Sequence, residues 1–457
     1  MSGSAGTGTA AAGDQLLSVE EARDQILAAI AGPTPVESVD VGEARGRILA
    51  EDVVSLTALP PWDNSAMDGY AIRAADAAAA TDEAPVRLDV VGEVRAGAAP
   101  DTELERGTAI RIATGAPVPS GADAVVQVEL TTPASADGAP VGERGRDAAG
   151  PLPKAVLVHA AIASGTAIRR AGDDLAEAAT ILTAGMRIGA AGVALAAGTG
   201  NETLAVHALP RVGILATGDE VRAPGRDLGP AGIPDANGPG LAALVEEAGG
   251  RAQSLGIATD RLEDVRARLT AALCGDVDAI VVSGGVSVGP YDVVRAAFAE
   301  IGRMDLWRVA VQPGKPFAFG VAERLDGGST LLFGLPGNPV SSFVTFELFV
   351  RPAIRRLAGV PTNRLVRRID HAVLLEPATK SPGRRAFLRV VAERDAAGAP
   401  ARDAEGRVRV RLAGGGRGQG SHVLSALALA EGLAIVPESV DAVEAGARLD
   451  LWWLDCD

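Results

Sequence analysis

The sequence predicts a multidomain protein of α/β and β structure, with a central parallel α/β domain between β-rich N-terminal and C-terminal domains. Three observations support this fold class. The chain has 457 residues, too many for one hydrophobic core. Continuous apolar strands alternate with helical patterns over 205–360, which is typical of a parallel sheet covered on both faces. Short β patterns separated by Gly, Pro and Asp turns fill 59–165 and 364–457.

The N-terminal part divides into two predicted units. Residues 14–58 begin with a capping box, Ser18–Glu21, that opens a helix to about Ile30, and a second short helix is expected to end at Gly46–Ala50. We expect 14–58 to pack with 166–204 as one discontinuous mixed domain. Residues 59–165 form a small β-rich domain, in which 132–153 are expected to be an exposed loop.

Composition excludes several classes of protein. The net charge of −15 and the lack of a long basic run argue against nucleic-acid binding. Two cysteines and four scattered histidines favour neither a disulfide framework nor a structural zinc site. The apolar stretch Gly185–Gly200 is rich in Ala and Gly and contains Arg187, so we expect a buried helix there and no membrane span. Residues 1–13 do not resemble a signal peptide, and a cytoplasmic protein is expected.

The most informative stretch of the α/β domain is Gly334–Pro339, between the apolar strand Thr330–Phe333 and a helix expected over Val340 to about Leu357. Asn338 is a good N-cap, and Pro339 suits the first helical position. Free N–H groups and the positive end of the helix dipole favour an anion there. An ordinary Gly-Pro connection is the alternative interpretation of this loop alone.

Two more buried strands end in loops of the same kind. Ala279–Ser283 and Arg211–Thr217 are each followed by Gly and by hydroxyl or carboxylate residues, and helices are expected at about Gly240–Gly249, Leu262–Cys274 and Val293–Ile301. Ligands of parallel sheets bind beyond the carboxyl ends of the strands. The three loops therefore predict a phosphate or oxyanion site, with the following candidates: Thr217, Gly218, Ser283, Gly284, Gly285, Ser287, Gly337 and Asn338.

Further polar loops suggest charged groups for this site. Asp63–Ala71 and Arg111–Pro117 could present polar side chains to a ligand or to Mg²⁺, although plain Asx turns are the alternative. Lys315 lies in the stiff segment Gln312–Pro316, where it would bind an oxyanion unless it is merely solvated. Carboxylates beside Gly, Ser or Thr suit Mg²⁺ and a phosphoanhydride substrate; they are Asp68, Asp173, Asp174, Asp219, Glu220, Asp260 and Asp292. A serine-hydrolase triad is not supported, because no nucleophile elbow with a His partner stands out.

Eight segments, taken in order, resemble the MoeA-type molybdopterin molybdenumtransferases, the family of the gephyrin and plant Cnx1 E domains. They are Asp63–Ala71, Arg111–Pro119, Ile168–Leu175, Leu215–Glu220, Ser283–Gly289 with Asp292, Pro313–Gly320, Gly334–Ser341 and Gly418–Ser425. The resemblance implies a MogA-like central domain, an elongated subunit of four domains, and a homodimer with its active site shared between subunits. The implied reaction inserts molybdenum from molybdate into adenylylated molybdopterin, with Mg²⁺, and releases AMP. The molybdopterin adenylyltransferase is a further candidate partner.

The resemblance also assigns roles to individual residues. Catalytic roles are implied for Asp68, Thr114, Glu220, Asp292 and Lys315, and metal binding for Asp68, Glu220 and Asp292. Substrate binding is implied for Asp174, Asp260, Ser341 and Ser421, and Pro313 and Pro316 would shape the loop that receives molybdate. Two alternative functions stay open: a CinA-like nucleotide-processing enzyme, which would share only the α/β domain, and a gephyrin-like scaffold.

Overall fold

The computed structural model describes residues 16–146, 150–285, 293–324 and 327–454. Within these ranges no helix is both long and apolar enough to cross a membrane. Two of the candidate residues, Ser287 and Asp292, lie outside the described residues.

The N-terminal helix begins as the sequence predicts. The first elements are α1 (Val19–Ala28), β1 (Val36–Asp40), a 3-10 helix (Val41–Glu43) and β2 (Val53–Val54). The capping box is confirmed, because Glu21 N donates to Ser18 Oγ at 3.1 Å and Ser18 N donates to Glu21 Oε2 at 2.8 Å. The second helix predicted to end at 46–50 is wrong: Gly46 adopts a φ of 84°, which interrupts a right-handed helix, and Ile48 and Leu49 make isolated β-bridges.

The small β-rich unit is a single sheet with a short flanking strand, β3. The elements are β3 (Asn64–Ser65), β4 (Gly69–Ile72), a 3-10 helix (Ala74–Ala77), β5 (Val86–Val94), β6 (Thr108–Ile112), β7 (Ala124–Gln127), a 3-10 helix (Val128–Leu130), β8 (Thr131–Ala134) and β9 (Ala155–Val158). Six strands of the described residues form the sheet, in the order β7-β4-β6-β5-β9-β8. The exposed loop predicted over 132–153 is wrong at its start, because residues 132–134 are buried in β8 and pair with β9.

Strand pairing joins the two separated stretches of the N-terminal part. The next elements are β10 (Ile168–Arg169), β11 (Thr180–Leu182), α2 (Ala190–Gly198) and β12 (Thr203–His207). β12 pairs antiparallel with β1, and β11 pairs antiparallel with β2. The domain boundaries themselves stay a prediction. The prediction that the helix over 185–200 is buried is wrong. Ala196 is the only buried residue of α2, so most of the Ala- and Gly-rich apolar surface of this helix faces outward.

The central domain carries most of the regular structure. Its elements are β13 (Arg211–Thr217), β14 (Val221–Arg222), β15 (Ile233–Pro234), α3 (Asn237–Glu247), β16 (Arg251–Ala258), α4 (Leu262–Leu273), β17 (Ala279–Ser283), α5 (Val293–Ile301), β18 (Arg303–Arg308), β19 (Val311–Gln312), β20 (Pro316–Glu323), β21 (Ser329–Leu335), α6 (Pro339–Thr345), a π-helical turn (Phe346–Val350) and α7 (Arg351–Leu357). The long helix expected from Val340 to Leu357 is confirmed, with one π-turn inside it.

The central sheet has the strand order β16-β13-β17-β21-β20-β18 in the described residues. The first four strands are parallel, as predicted, whereas β20 and β18 are antiparallel additions. Separate clusters of buried apolar side chains cover the two faces of the sheet, which confirms the predicted three-layer packing. The carboxyl ends of β13, β17 and β21 therefore meet at one edge.

The C-terminal elements form a closed sheet. They are a 3-10 helix (Thr362–Arg364), β22 (Ile369–Leu374), β23 (Ala378–Thr379), β24 (Arg385–Ala392), β25 (Val408–Leu412), a 3-10 helix (Gly416–Gln419), α8 (Leu424–Leu429), β26 (Gly432–Val436), β27 (Ala442–Val443) and β28 (Ala447–Trp453). β24 pairs with both β25 and β26, so that the ladder β24-β25-β22-β28-β26 returns to β24. β19 of the central domain also pairs with β24, which anchors the segment leading to Lys315.

Candidate active site

A cleft of about 830 Å³ opens at the carboxyl edge of the central sheet. It is lined by the loops that follow β13, β17 and β21, as the sequence predicts. Ten candidate residues line it together: Thr217, Gly218, Glu220, Asp260, Ser283, Gly284, Gly285, Pro316, Gly337 and Asn338. A cleft of this size can hold an organic ligand.

Two of the loops touch in a way that requires glycine. Gly284 has a φ of 99°, and a Cβ atom there would lie 2.6 Å from Thr217 Oγ1. Thr217 Oγ1 in turn donates to the carbonyl oxygen of Ser283 at 3.2 Å. Gly337 approaches from the third loop, where a Cβ atom would lie 3.7 Å from Gly284 Cα. The backbone therefore forms the floor of the cleft, and a ligand can come close to it.

Asn237 connects two of these loops, and the sequence reasoning missed it. Its Nδ2 donates to Ser283 Oγ at 2.5 Å and to the carbonyl oxygen of Gly337 at 2.7 Å. Asn237 can do so because α3 begins at this residue, although the sequence suggested a start near Gly240. The neighbouring Asp235 accepts from Gly238 N at 2.9 Å and also lines the cleft. The available signal was the Asp-x-Asn pattern directly before a helix.

The charge of the cleft is negative. Glu220, Asp235 and Asp260 line it, and its described lining residues include no Lys or Arg. Asp219 and Asp260 fix each other's loops, because Asp219 N donates to Asp260 Oδ2 at 3.2 Å and Asp260 N donates to Asp219 Oδ1 at 3.1 Å. An anionic ligand therefore needs positive potential from the helix N-terminus at Pro339 and from an added cation.

The donor set fits Mg²⁺ as a shared ligand of protein and substrate. The described residues contain no group of three His, Cys, Asp or Glu close enough to hold a metal ion by themselves. Mg²⁺ usually takes one or two carboxylates and completes its shell with water and substrate phosphate oxygens. Glu220, Asp235 and Asp260 could supply such carboxylates, whereas Asp68 does not line this cleft.

Lys315 is held beside the cleft on a firmly fixed loop. Its carbonyl oxygen accepts from Val309 N at 3.1 Å, and Gln312 Oε1 accepts from Ser381 N at 2.6 Å. Gly314, with a φ of 112°, packs so closely on α6 that a Cβ atom would lie 2.5 Å from Thr345 Cγ2. Pro316 lines the cleft, but Pro313 and the half-buried Lys315 do not.

The C-terminal domain reaches the same cleft through two residues. Asn338 Nδ2 donates to Ser421 Oγ at 3.3 Å, and His422 lines the cleft. His422 was not a sequence candidate. Ser341 is brought near but not into the cleft, since it is buried inside α6, where its carbonyl oxygen accepts from Thr345 Oγ1 at 2.8 Å.

Asp68, Thr114 and Asp174 lie in the N-terminal part and do not line the cleft of their own chain. Asp68 and Thr114 belong together, because Thr114 donates through N at 2.7 Å and through Oγ1 at 2.9 Å to Asp68 Oδ1. Asp174 is exposed, and its N donates to the carbonyl oxygen of Leu59 at 3.0 Å.

Asp63 joins the Asp68 loop to the segment that contains Asp174. It accepts from Ala171 N at 2.9 Å and pairs with Arg170 at 2.6 Å. The Ala171 N–H and then the Arg170 guanidinium hold the pKa of Asp63 below its usual value. Two of the sequence-predicted segments are therefore tied together by an ionised carboxylate.

Comparisons with known proteins cover nearly the whole chain. Family models match in order: "MoeA N-terminal region (domain I and II)" over 17–200, "Probable molybdopterin binding domain" over 213–356, and "MoeA C-terminal region (domain IV)" over 371–454. The cleft lies mainly in the second of these.

Relatives and solved structures agree with the family models. The chain is 38% identical to molybdopterin molybdenumtransferase 2 of Mycobacterium tuberculosis over 426 residues, which are 91% of this chain and 94% of the relative. It is 32% identical to the molybdopterin molybdenumtransferase of Haemophilus influenzae, over 95% of this chain and 98% of that protein. A crystal structure of the Pyrococcus horikoshii molybdopterin biosynthesis MoeA protein superposes with a TM-score of 0.74 at 29% identity, covering 96% of this chain and 99% of that one. The chain therefore belongs to the MoeA family of molybdopterin molybdenumtransferases.

Proposed function

We propose that this protein inserts molybdenum from molybdate into adenylylated molybdopterin and releases AMP, the final step of molybdenum cofactor biosynthesis. The observation that carries the proposal is the cleft at the carboxyl edge of the central sheet, which lies mainly inside the region matched by the molybdopterin-binding family model. Its glycine floor admits a phosphate group, and its volume of about 830 Å³ admits an organic one.

Different residues of the cleft and of the neighbouring loop bind the substrate phosphates and the molybdate. Backbone amides at the start of α6 and the Ser283 hydroxyl hold the substrate phosphates, and Asn237 keeps the Ser283 and Gly337 loops at a fixed separation. Lys315 binds the molybdate dianion from its fixed loop. Rigid loops suit this reaction, because holding two reactants in position lowers the entropic part of the activation barrier.

Mg²⁺ is the cofactor that the acidic cleft fits. Glu220, with Asp235 or Asp260, would hold it together with substrate oxygens. When bound, Mg²⁺ would neutralise negative charge at the scissile phosphoanhydride.

We propose that the working unit is a homodimer whose active site uses the partner subunit's Asp68 loop. Two observations support this. Asp68, Thr114 and Asp174 do not line the cleft of their own chain. The apolar α2 is largely exposed, and the nearby Val54 and Leu56 are 41% and 57% exposed. An exposed apolar surface of this kind commonly marks a protein interface.

The molybdopterin adenylyltransferase is the partner protein that we propose, because its product is the substrate used here. A cytoplasmic location stays a prediction. A CinA-like enzyme is disfavoured, since the matches also extend over 17–200 and 371–454, outside the α/β domain.

A single-turnover assay tests the function. The purified protein is mixed with adenylylated molybdopterin, Mg²⁺ and molybdate, and AMP and molybdenum-bound pterin are measured together. We expect AMP and the molybdenum product to appear in equal amounts. Binding of the pterin without either product would instead support a scaffold role.

A further inference from the structure

A second cavity, of about 780 Å³, lies at the opposite edge of the central sheet. Leu209 and Gly249, which line it, precede β13 and β16 by only two residues, so the cavity is at the amino ends of these strands. The cleft is at the carboxyl ends. β13 has seven residues, and a strand advances about 3.3 Å per residue, so the two sites are separated by roughly 20 Å. They share no described lining residue.

Arginine is the most frequent residue among the described lining residues of this cavity, although the whole chain has a net charge of −15. Among the described lining residues, seven are arginines and one is a carboxylate, Glu247. Arg47 and Arg187 come from the N-terminal part, Arg351 and Arg355 come from α7, and Arg364, Arg367 and Arg368 come from the connection to the C-terminal domain. Three separate parts of the fold therefore bring positive charge to one place.

Carboxylates behind the wall hold some of these arginines in position. Glu347, which is 1% exposed, accepts from Arg367 Nε at 2.7 Å and from Arg367 Nη2 at 3.0 Å. The same carboxylate lies 3.8 Å from Arg351 Nε, so one buried anion serves two guanidinium groups. Arg47 pairs with Glu37. These contacts fix the direction of the side chains and balance part of the charge.

The chemistry of the wall defines the ligand that it suits. A guanidinium group remains charged at every physiological pH, and its fork of donors matches phosphate oxygens. Apolar residues, including Ile48, Leu209 and Val360, line the cavity together with the arginines. Such low-dielectric walls strengthen the positive potential in a concave site and also accommodate an organic group. The volume is within the usual range for small-molecule sites.

We propose that this cavity binds a small organic phosphate that carries several negative charges and has the size of a nucleotide. Phosphates arranged in a row can contact arginines from different walls at once, whereas a single small ion can reach only some of them. The apolar residues take the organic part.

The test uses ATP without Mg²⁺ as the probe and the full chain as the protein. Hydrogen–deuterium exchange locates the ligand, and titration calorimetry gives its affinity. The cavity variant is Arg187→Ser with Arg368→Ser, because both arginines are exposed and their replacement leaves the buried Arg351 and Arg367 intact. The control is Arg106→Ser with Arg146→Ser, two exposed arginines of the small β-rich unit, which changes the net charge by the same amount.

ATP should slow amide exchange over 358–369, and the cavity variant should weaken this binding by about tenfold or more. The control variant should bind like the wild type, and Lys315→Ala should leave the protection of 358–369 unchanged. Added salt should weaken the binding.

Three results would overturn the proposal. One is protection by ATP that is confined to the cleft segments 217–220 and 337–339. Another is equal affinity in the cavity and control variants. The third is that a glutamate-rich peptide binds as tightly as ATP and that this binding is lost in the cavity variant. That result would assign the site to an acidic protein partner instead.

Discussion

At the level of single residues, the proposed role of Lys315 in binding molybdate can be tested most directly. It is the lysine fixed by Val309 N and Gly314 beside a cleft whose described lining is acidic. A helix N-terminus alone favours an exposed anion by about 0.3–1 kcal/mol, which is less than tenfold in affinity. The molybdate-binding role proposed for Lys315 would add the full positive charge that the described lining of the cleft lacks.

Lys315→Ala should weaken molybdate use by about tenfold or more and affect pterin binding much less. Lys315→Arg should recover only part of the activity, because a planar guanidinium does not replace a compact ammonium in a tight loop. The dependence of AMP release on molybdate concentration measures this. Equal losses of pterin and molybdate affinity would place Lys315 on the substrate phosphates instead.

Asn237 should act on pterin binding instead of molybdate binding. Asn237→Ala removes the donor to Ser283 Oγ and to the Gly337 carbonyl oxygen, which frees two loops of the cleft. We expect pterin affinity to fall by about tenfold, in keeping with the loss of one partly buried and one exposed hydrogen bond. Asn201→Ala is a matched control, because the described hydrogen bonds of this side chain are with Val54, Ala196 and Thr199 of the N-terminal part. An unchanged pterin affinity would mean that the bridge does not shape the site.

Asp68 tests the metal assignment. Asp68→Asn keeps the size of the side chain and an oxygen that can accept from Thr114, but removes the charge. If Asp68 helps to hold Mg²⁺ in the assembled site, the variant should fold normally and need a higher Mg²⁺ concentration for AMP release. If the variant and the wild type release AMP at equal rates at every Mg²⁺ concentration, Asp68 serves only to stabilise its turn.

Among the helices and strands, the sequence predicted those whose signal lies within the element itself or in its first turn. β13, β17 and β21 follow from apolar runs, and α1 follows from its capping box. β20 was missed because it begins at Pro316 and contains Gly320, which resemble a loop. Asn237 was missed because its bonds to Ser283 and Gly337 join distant parts of the sequence.

Helix α1 offers a stability test at this scale. Ser18 caps the helix through Glu21, and the Glu20–Arg385 ion pair attaches the helix to the C-terminal domain. Ser18→Ala should cost the helix about 1 kcal/mol. Amide exchange over 19–28 should then become about fivefold faster, if these amides exchange by local opening. Ser164→Ala, at an exposed position, is the control. Equal exchange rates over 19–28 in both variants would show that the Ser18 cap does not stabilise α1.

At the scale of the whole molecule, the exposed surface of α2 shows what one chain's sequence cannot predict. Its Ala- and Gly-rich composition is the same for a helix buried in its own domain and for one covered by another subunit. In the proposed homodimer, the relation of Asp68 to the cleft would have the same origin, because residues that meet between subunits leave no trace in the periodicity of one chain.

Subunit exchange tests the homodimer. An Asp68→Asn variant and a Lys315→Ala variant, each of low activity, are mixed and allowed to exchange subunits. If each active site combines the cleft of one subunit with the Asp68 loop of its partner, about a quarter of all sites regain both residues after random exchange. Recovery of AMP release supports the shared site. No recovery, with exchange shown by mass spectrometry, would confine the site to one chain.

Binding of both substrates at the carboxyl edge of the central sheet can be seen in a crystal soaked with molybdate and adenylylated molybdopterin, measured at the molybdenum absorption edge. We expect an anomalous peak in contact with Lys315 Nζ, and phosphate density against Ser283–Gly285 and Gly337–Asn338. A molybdenum peak away from the carboxyl edge of the central sheet, with no pterin density in the cleft, would contradict it.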